Sequence, residues 1–271
     1  MKRNWNQLNY FQKIFLYSKN YLKYTPFYIN KLFSKYIEYN NKKIKIKFCN
    51  IGVKSYFRVK TLLTKEPLTI NWINNFKKGS IFWDVGSNIG IYSIYAAKKS
   101  KVKVYSFEPM PLNYKNLCIN ISLNKLAEFI IPFCWVLNDK NSTSNLYIKW
   151  FEEGFSGTSF NKNIEISKKN GLIVKQFSIS IDTLIYKLHL PCPNYLKIDV
   201  DGNDLLILKG AKKTIQNSKL KSIMVEIPKI DMNKSTKKKK LTNEIMNYLK
   251  RNNFYCVNNE KNNYFFEKKQ R

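Results

Sequence analysis

A chain of 271 residues with 44% hydrophobic and 15% aromatic content can bury a sizeable core, which excludes global disorder. Its net charge of +30, from 48 Lys and Arg against 18 Asp and Glu, points to polyanions such as RNA, anionic lipid heads or a phosphorylated substrate. The same surplus also fits the Lys-, Asn-, Ile-, Tyr- and Phe-rich usage of an AT-rich coding sequence, so charge alone does not assign a function.

No apolar run reaches the ~18 to 20 residues that span a bilayer. The N-terminus is basic throughout and lacks a small-residue cleavage site, so a cytoplasmic protein is expected, with peripheral membrane contact left open. Residues 1–41 read as a basic helical annex, with Tyr10, Phe11, Ile14 and Phe15 on one face. After the break at Pro26 come Ile29, Leu32, Phe33, Tyr36 and Ile37 near i, i+3, i+4 spacing. Such a segment either packs on the following domain or lies on a membrane or an acidic partner.

Residues 42–271 read as one domain. Lys42–Phe48 alternates charge and hydrophobe, as a half-buried strand does. The stretch Leu68 to Phe76 suits a short helix ended by Gly79. From Ile81 strands and helices alternate: "IFWDV", "IGIYSIYAAKK", "KVKVYSFEP", "LNYKNLCINISLNKL" and "EFIIPFCWVL". After a longer middle follow "NYLKIDV", "DLLILKGAKKTIQN", "LKSIMVEI" and "KKLTNEIMNYLKRN", where Lys237–Lys240 open the helix against its dipole. Alternation of this kind predicts an α/β fold, a doubly wound and mostly parallel sheet covered on both faces. The closing pair "FYCVNN" and "NYFFEK" is too closely spaced for a crossover and should pair antiparallel.

The five cysteines are scattered and odd in number, and His189 is the only histidine, so neither a zinc site nor a disulfide framework is expected. The cysteines read as buried thiols. His189 precedes a strand, at the end of the sheet away from any ligand.

Ligands of an open parallel sheet sit beyond the carboxyl ends of its strands. After the first strand comes Asp84-Val85-Gly86-Ser87-Asn88-Ile89-Gly90. Gly86 permits a tight turn and Gly90 a close helix approach, while Ser87 or Asn88 can cap the helix. A dinucleotide turn would carry glycines where Asn88 and Ile91 stand, and no G-K-[ST] follows for a triphosphate loop. A smaller anion such as a carboxylate remains. Glu108 ends the second strand 22 residues after Gly86, near the ~20 residues at which an acid grips ribose hydroxyls. A ribose and a carboxylate together suggest S-adenosylmethionine.

These runs, with "YSFEPMPLNYKNLCINISLN", "PNYLKIDVDGNDLLILKGA" and "IMVEIP", resemble the FkbM family of S-adenosylmethionine-dependent methyltransferases over Glu66 to Pro228. The resemblance implies a Rossmann-like class I methyltransferase fold, seven strands with the last antiparallel, and methylation of a hydroxyl on a small molecule or glycan. It places Asp84, Gly86, Ser87, Asn88 and Gly90 in the methionine-side loop and Glu108 on the ribose. Trp135, Val136 and Leu137 would flank the adenine, with Asn138 or Asp139 near its amino group. Asp199 would face the methyl region. Asp201 and Asp204 stand where the family more often carries Glu.

Methyl transfer needs alignment and exclusion of water, and a base only for an acceptor such as an alcohol. Asp199, Asp201 and Glu226 stand at strand ends as candidate catalytic groups. Asp199 is equally suited to the cofactor's ammonium, and Glu226 to capping a turn. No metal is expected, although Asp199 and Asp201 offer the oxygen ligands that suit magnesium. The loop Lys149–Asn163, with Gly154, Gly157 and three phenylalanines, is either a cover for the ligand or a plain hairpin tip. Two alternatives stay open: an RNA acceptor, with nucleic acid drawn to the positive charge, and a non-catalytic membrane- or partner-binding protein on a vestigial fold.

Overall fold

A computed structural model of the chain describes residues 25, 36–41, 44–49, 52–227 and 236–269. Most of the expected helical annex lies outside these residues. Its end does not: β1 (Tyr36–Asn41) is a strand, paired antiparallel with β2 (Ile44–Cys49). Alternation overrides the helical spacing here, because Ile37 is fully buried while Glu38 faces outward to Lys45 at 3.1 Å. Helices α1 (Val53–Lys60) and α2 (Pro67–Asn74) follow. Pro67 opens α2 where its missing N–H costs nothing, and the helix stops at Asn75, before Gly79.

The main sheet contains β3 (Ile81–Val85), β4 (Lys103–Phe107) and β5 (Ile130–Phe133), with α3 (Ile91–Ser100) and α4 (Pro111–Leu123) between them. The run expected as one strand from Glu128 to Leu137 breaks after Phe133. Its end, β6 (Val136–Leu137), joins a separate four-stranded sheet with β7 (Ser142–Ile148), β8 (Thr158–Phe160) and β9 (Leu172–Ile179). Then come α5 (Ile181–Tyr186), β10 (Tyr195–Ile198), α6 (Asp204–Lys209), α7 (Lys212–Gln216), β11 (Ser222–Glu226), α8 (Thr236–Arg251), β12 (Phe254–Glu260) and β13 (Asn263–Lys268).

The helix expected over residues 204–217 is two helices, interrupted at Gly210 and Ala211, where Ala211 leaves helical geometry at φ −110° and ψ 21° and Gly210 lies against Asn138. A Cβ on Gly210 would lie 2.1 Å from the Asn138 carbonyl oxygen, so the close approach requires glycine. The seven strands run β12-β13-β11-β10-β3-β4-β5, with β13 antiparallel to both neighbours and β11, β10, β3, β4 and β5 parallel. The chain steps from β3 outward through β4 and β5, then returns to lay β10 on the other side of β3. That reversal opens a crevice at the carboxyl ends of β3 and β10.

Successive residues face opposite layers of the sheet. Phe82, Val104, Ile130 and Met224 pack toward α2, α3 and α4. Trp83, Val85, Phe107, Leu196 and Ile198 pack toward α5 to α8. All five cysteines are free, but only Cys49 and Cys192 are buried and Cys256 is exposed on β12. The thiols are therefore not uniformly buried as expected. No helix among the described residues is long and apolar enough to cross a membrane.

Candidate active site

The site starts from a polar string inside the sheet. Strand register sets Lys197 of β10 beside Asp84 of β3, and the two-residue period puts Asp199 on the same face as Lys197. The Lys197 ammonium, 1% exposed, lies 3.3 Å from the Asp84 carboxylate and 2.9 Å from that of Asp199. Burial opposes its charge, yet Asp199 and Asp84 outweigh burial and raise its pKa. Asp199 responds in the opposite sense: burial works upward, and the Lys197 charge holds the acid well below the usual carboxylate range. Asp84 also accepts from the Ser93 hydroxyl of α3 at 2.6 Å, and Ser106 donates to Ser93 at 2.8 Å.

Above this string the turn from β3 to α3 takes up positive φ at Gly86 (80°), Asn88 (51°) and Gly90 (84°). A Cβ on Gly86 would meet the Asp199 carbonyl oxygen at 2.0 Å, so glycine alone lets the turn close against the end of β10. The helix cap is Gly90, with no side-chain cap. Capping by Ser87 or Asn88 is thereby corrected. Ser87 is buried with an unpartnered hydroxyl, and the Asn88 side chain reaches across to donate to the Phe155 carbonyl at 3.0 Å.

Glu108 ends β4 and is 5% exposed. Its two carboxyl oxygens accept from the Asn88 amide at 2.8 Å and the Met110 amide at 2.9 Å. Burial exceeds the effect of these donors and pushes its pKa up to about 7. Glu226, at the end of β11, lines the cleft with Asp199, and burial together with that neighbour's charge pushes it up to about 8.

Of the sequence-predicted cofactor residues, Gly86, Asn88, Glu108, Val136 and Asp199 line one cleft, as do Trp135 and Leu137. Asp84, Ser87 and Gly90 lie behind it and shape it. Asn138 and Asp139 are not on its wall. Asn138 is buried, its amide donating to the Ile179 carbonyl at 3.1 Å. The candidate catalytic residues Asp199, Asp201 and Glu226 all face the cleft. Asp201 is engaged elsewhere: it accepts from the amides of Gly157 at 2.5 Å and Thr158 at 3.2 Å. Asp204 is buried and accepts from the Val200 amide at 3.3 Å. His189 is exposed, ahead of β10, and does not reach the cleft.

The loop 149–163 lies over the cleft. Asn88 and Asn113 both donate to the Phe155 carbonyl, Asn113 accepts from the Gly154 amide at 2.8 Å, and Arg58 donates to the Gly154 carbonyl at 2.9 Å. With the loop in this position the cavity is about 220 Å³. Ligand pockets usually hold about 300–1,000 Å³, so the cleft beneath the loop is smaller than that range.

Several residues of the cleft were not among the site residues expected from the sequence. Glu66, at the N-cap of α2, accepts from the Tyr92 hydroxyl at 2.7 Å and from Asn263 at 3.0 Å. Burial raises its pKa, and Tyr92 and Lys65 more than reverse that, leaving it below the ordinary value. Arg58 and Lys65 are the two cations on the lining, against the carboxyls of Glu66, Glu108, Asp199, Asp201 and Glu226. Lys197 did leave a trace: a lysine inside an otherwise apolar central strand needs a buried partner.

An acidic side chain held by amides, an apolar wall from Trp135 to Leu137 and a turn with no room for a Cβ suit a ribose, a flat base and a close-lying chain. Comparison with known proteins agrees. The family described as methyltransferase FkbM domain matches residues 84–256. The chain is 28% identical over 199 residues to the hexuronic acid methyltransferase AglP of Haloferax volcanii, covering 72% of this chain and 77% of that one. Among solved structures it is similar to the methyltransferase FkbM of Methylobacillus flagellatus KT, with 16% identity and a TM-score of 0.48. That match covers 79% of this chain but 54% of the other, so this chain spans about half of its length. A precorrin-6y C5,15-methyltransferase of Geobacter metallireducens GS-15 follows, at 15% identity and a TM-score of 0.42, covering 76% of this chain and 89% of that one. The family match takes in every carboxylate of the cleft except Glu66, and the chain belongs to the FkbM methyltransferase family.

Proposed function

We propose that this S-adenosylmethionine-dependent methyltransferase methylates a hydroxyl of a small molecule or glycan, with a sugar acid as its acceptor class. The acceptor class is supported by the likeness to a hexuronic acid methyltransferase. The observation that carries the mechanism is that Asp199 and Glu226 line one cleft together from the ends of neighbouring parallel strands.

Gly86, Asn88 and Asp199 would hold the methionine end of the cofactor, Glu108 its ribose, and the wall around Val136 its base. Bound there, S-adenosylmethionine supplies an electrophilic methyl carbon on a sulfonium. Glu226 would take the proton of the acceptor hydroxyl, whose oxygen would receive the methyl group that the cofactor supplies. Asp199, fixed in its charged form by Lys197, keeps Glu226 basic enough for that task. The loop 149–163 excludes water while the reacting atoms are aligned.

The test is transfer of labelled methyl from S-adenosylmethionine to glucuronic acid-bearing oligosaccharides by the full chain. A methyl ether survives mild alkali, whereas a methyl ester is hydrolysed. Alkali-stable label on the sugar is expected. Alkali-labile label would move the reaction from hydroxyl to carboxyl, and label on RNA alone would replace the acceptor class.

A further inference from the structure

At the far end of the sheet from the active site lies a second cavity, of about 810 Å³. It opens where β11 begins, where α8 ends and where β13 ends. Five residues of strand separate Lys221 from Glu226, about 17 Å at ~3.3 Å per residue, so the two cavities do not overlap.

Four cations line this second cavity: Lys221, Arg251, Lys268 and Lys269. Among the described residues, no carboxylate does. A smaller groove, of about 470 Å³, shares Lys221 and Lys268 with it and runs toward Lys77 and Lys78; among the described residues, Glu267 is the one acid on its wall. Among the described residues, none of these lysines nor Arg251 is in an ion pair. The Lys268 ammonium instead donates to the Ile215 and Asn217 carbonyls at 2.7 and 2.8 Å, which fixes its position at the end of α7. Burial first, and then the Lys221 charge, lower its pKa. Among the described residues, like charges are thus gathered in a concave site without a counter-ion, whereas the catalytic cleft, on the same strongly positive chain, has five carboxyls on its wall against two cations.

We infer that this cavity is a binding site for a phosphate-bearing ligand, distinct from the methyl-transfer cleft. Lysine ammoniums act as point charges around tetrahedral phosphate oxygens, and Arg251 adds a planar donor pair. Gln216, Ser218 and Asn252 on the same wall offer neutral polar groups for the remainder of the ligand. The volume lies within the range of sites for small molecules. Four positive charges exceed what a single carboxylate would balance and match a diphosphate.

The ligand source is separable by experiment. Inorganic pyrophosphate is titrated calorimetrically into the full chain at low salt, for wild type and for Lys221→Gln/Arg251→Gln. Both side chains are exposed, and neither belongs to the active site, so the fold and the cofactor affinity should be unchanged. One saturable binding event is expected, weakened at least about tenfold in the double variant and unaffected by saturating S-adenosylmethionine. Sedimentation with neutral vesicles, with and without phosphatidate, then assigns the source. Phosphatidate-dependent binding lost in the double variant points to a lipid headgroup, and pyrophosphate binding without vesicle binding points to a soluble phosphate ester. Absence of saturable pyrophosphate binding, equal affinity in the double variant, or competition with the cofactor would overturn the inference.

Discussion

Replacing Lys197 by Met is the most direct test of how the site is held. The ammonium is 1% exposed and bridges Asp84, itself fully buried, to Asp199. Methionine fills much the same volume but leaves two carboxylates without their cation. Removing one member of a buried ion pair costs about 3–5 kcal/mol, because the charge left behind remains desolvated. Domains are stable by about 5–15 kcal/mol, so roughly a fifth or more of the total would be lost. At about 2–4 °C per kcal/mol, the midpoint of thermal unfolding should fall by about 6–20 °C. Asp84→Asn/Lys197→Met should recover about 1–3 kcal/mol of that loss, since the buried charge is removed with its partner. Asp199 adds a pH dependence. Its pKa is depressed in the folded chain, so the stability it contributes is present above the ordinary value of 3.8 and is lost as the pH falls through the folded pKa. The gap between wild type and Lys197→Met should therefore be full at neutral pH and shrink under acid. Urea unfolding at pH 7 and pH 3 measures both effects. A neutral-pH loss below about 1 kcal/mol, or penalties of the two substitutions that simply add, would refute the reasoning.

Glu108 is protonated below about pH 7 in the free site, and its ionised form is the better acceptor for ribose hydroxyls. Affinity for S-adenosylmethionine should rise between pH 6 and 8, and Glu108→Gln should abolish the rise while weakening binding by about 10- to 100-fold, as calorimetry would show. Because Glu226 becomes a carboxylate only near pH 8, kcat should climb through that pH, and Glu226→Gln should lower kcat with little change in cofactor affinity. Gly86→Ala puts a Cβ 2.0 Å from the Asp199 backbone, whereas at Gly90 the obstacle is the movable end of the Leu117 side chain at 2.4 Å. Unfolding midpoints and cofactor binding should both suffer more in Gly86→Ala than in Gly90→Ala. Asp201→Ala releases two amides of the covering loop, and tryptic cleavage at Lys149 and Lys162 should speed up several-fold, which timed limited proteolysis would record. Unchanged cleavage would mean the Arg58, Asn88 and Asn113 contacts hold the loop unaided.

The order of strands and helices, the glycine turn and the acids at the strand ends were legible in the chain because each rests on local chemistry. Apolar residues in runs and periods mark the sheet and its covering helices, a glycine marks the backbone that must turn with positive φ, and the end of a strand fixes where its carboxylate sits. That reasoning stops where contact partners are far apart in sequence. Residues 36 and 37 matched a helical spacing as well as a strand alternation, and only pairing with β2 chose the strand. The interruption at Gly210 depends on an approach to Asn138, and the split after Phe133 on a second sheet assembled from residues 136–179. Arg58 and Asn263 enter the cleft from outside the stretch that resembles the family, and Glu66 from its first residue.

By itself, then, the sequence determined the α/β class, the glycine turn after β3 and the places of Glu108, Asp199 and Glu226 at the carboxyl ends of strands. Tertiary structure alone decided that Lys197 stands between Asp84 and Asp199, that Asp201 holds a loop, and that Lys221, Arg251, Lys268 and Lys269 close around a second cavity. The reason is physical: charges and hydrogen bonds act through space over a few ångströms, and the fold sets which distant residues come that close.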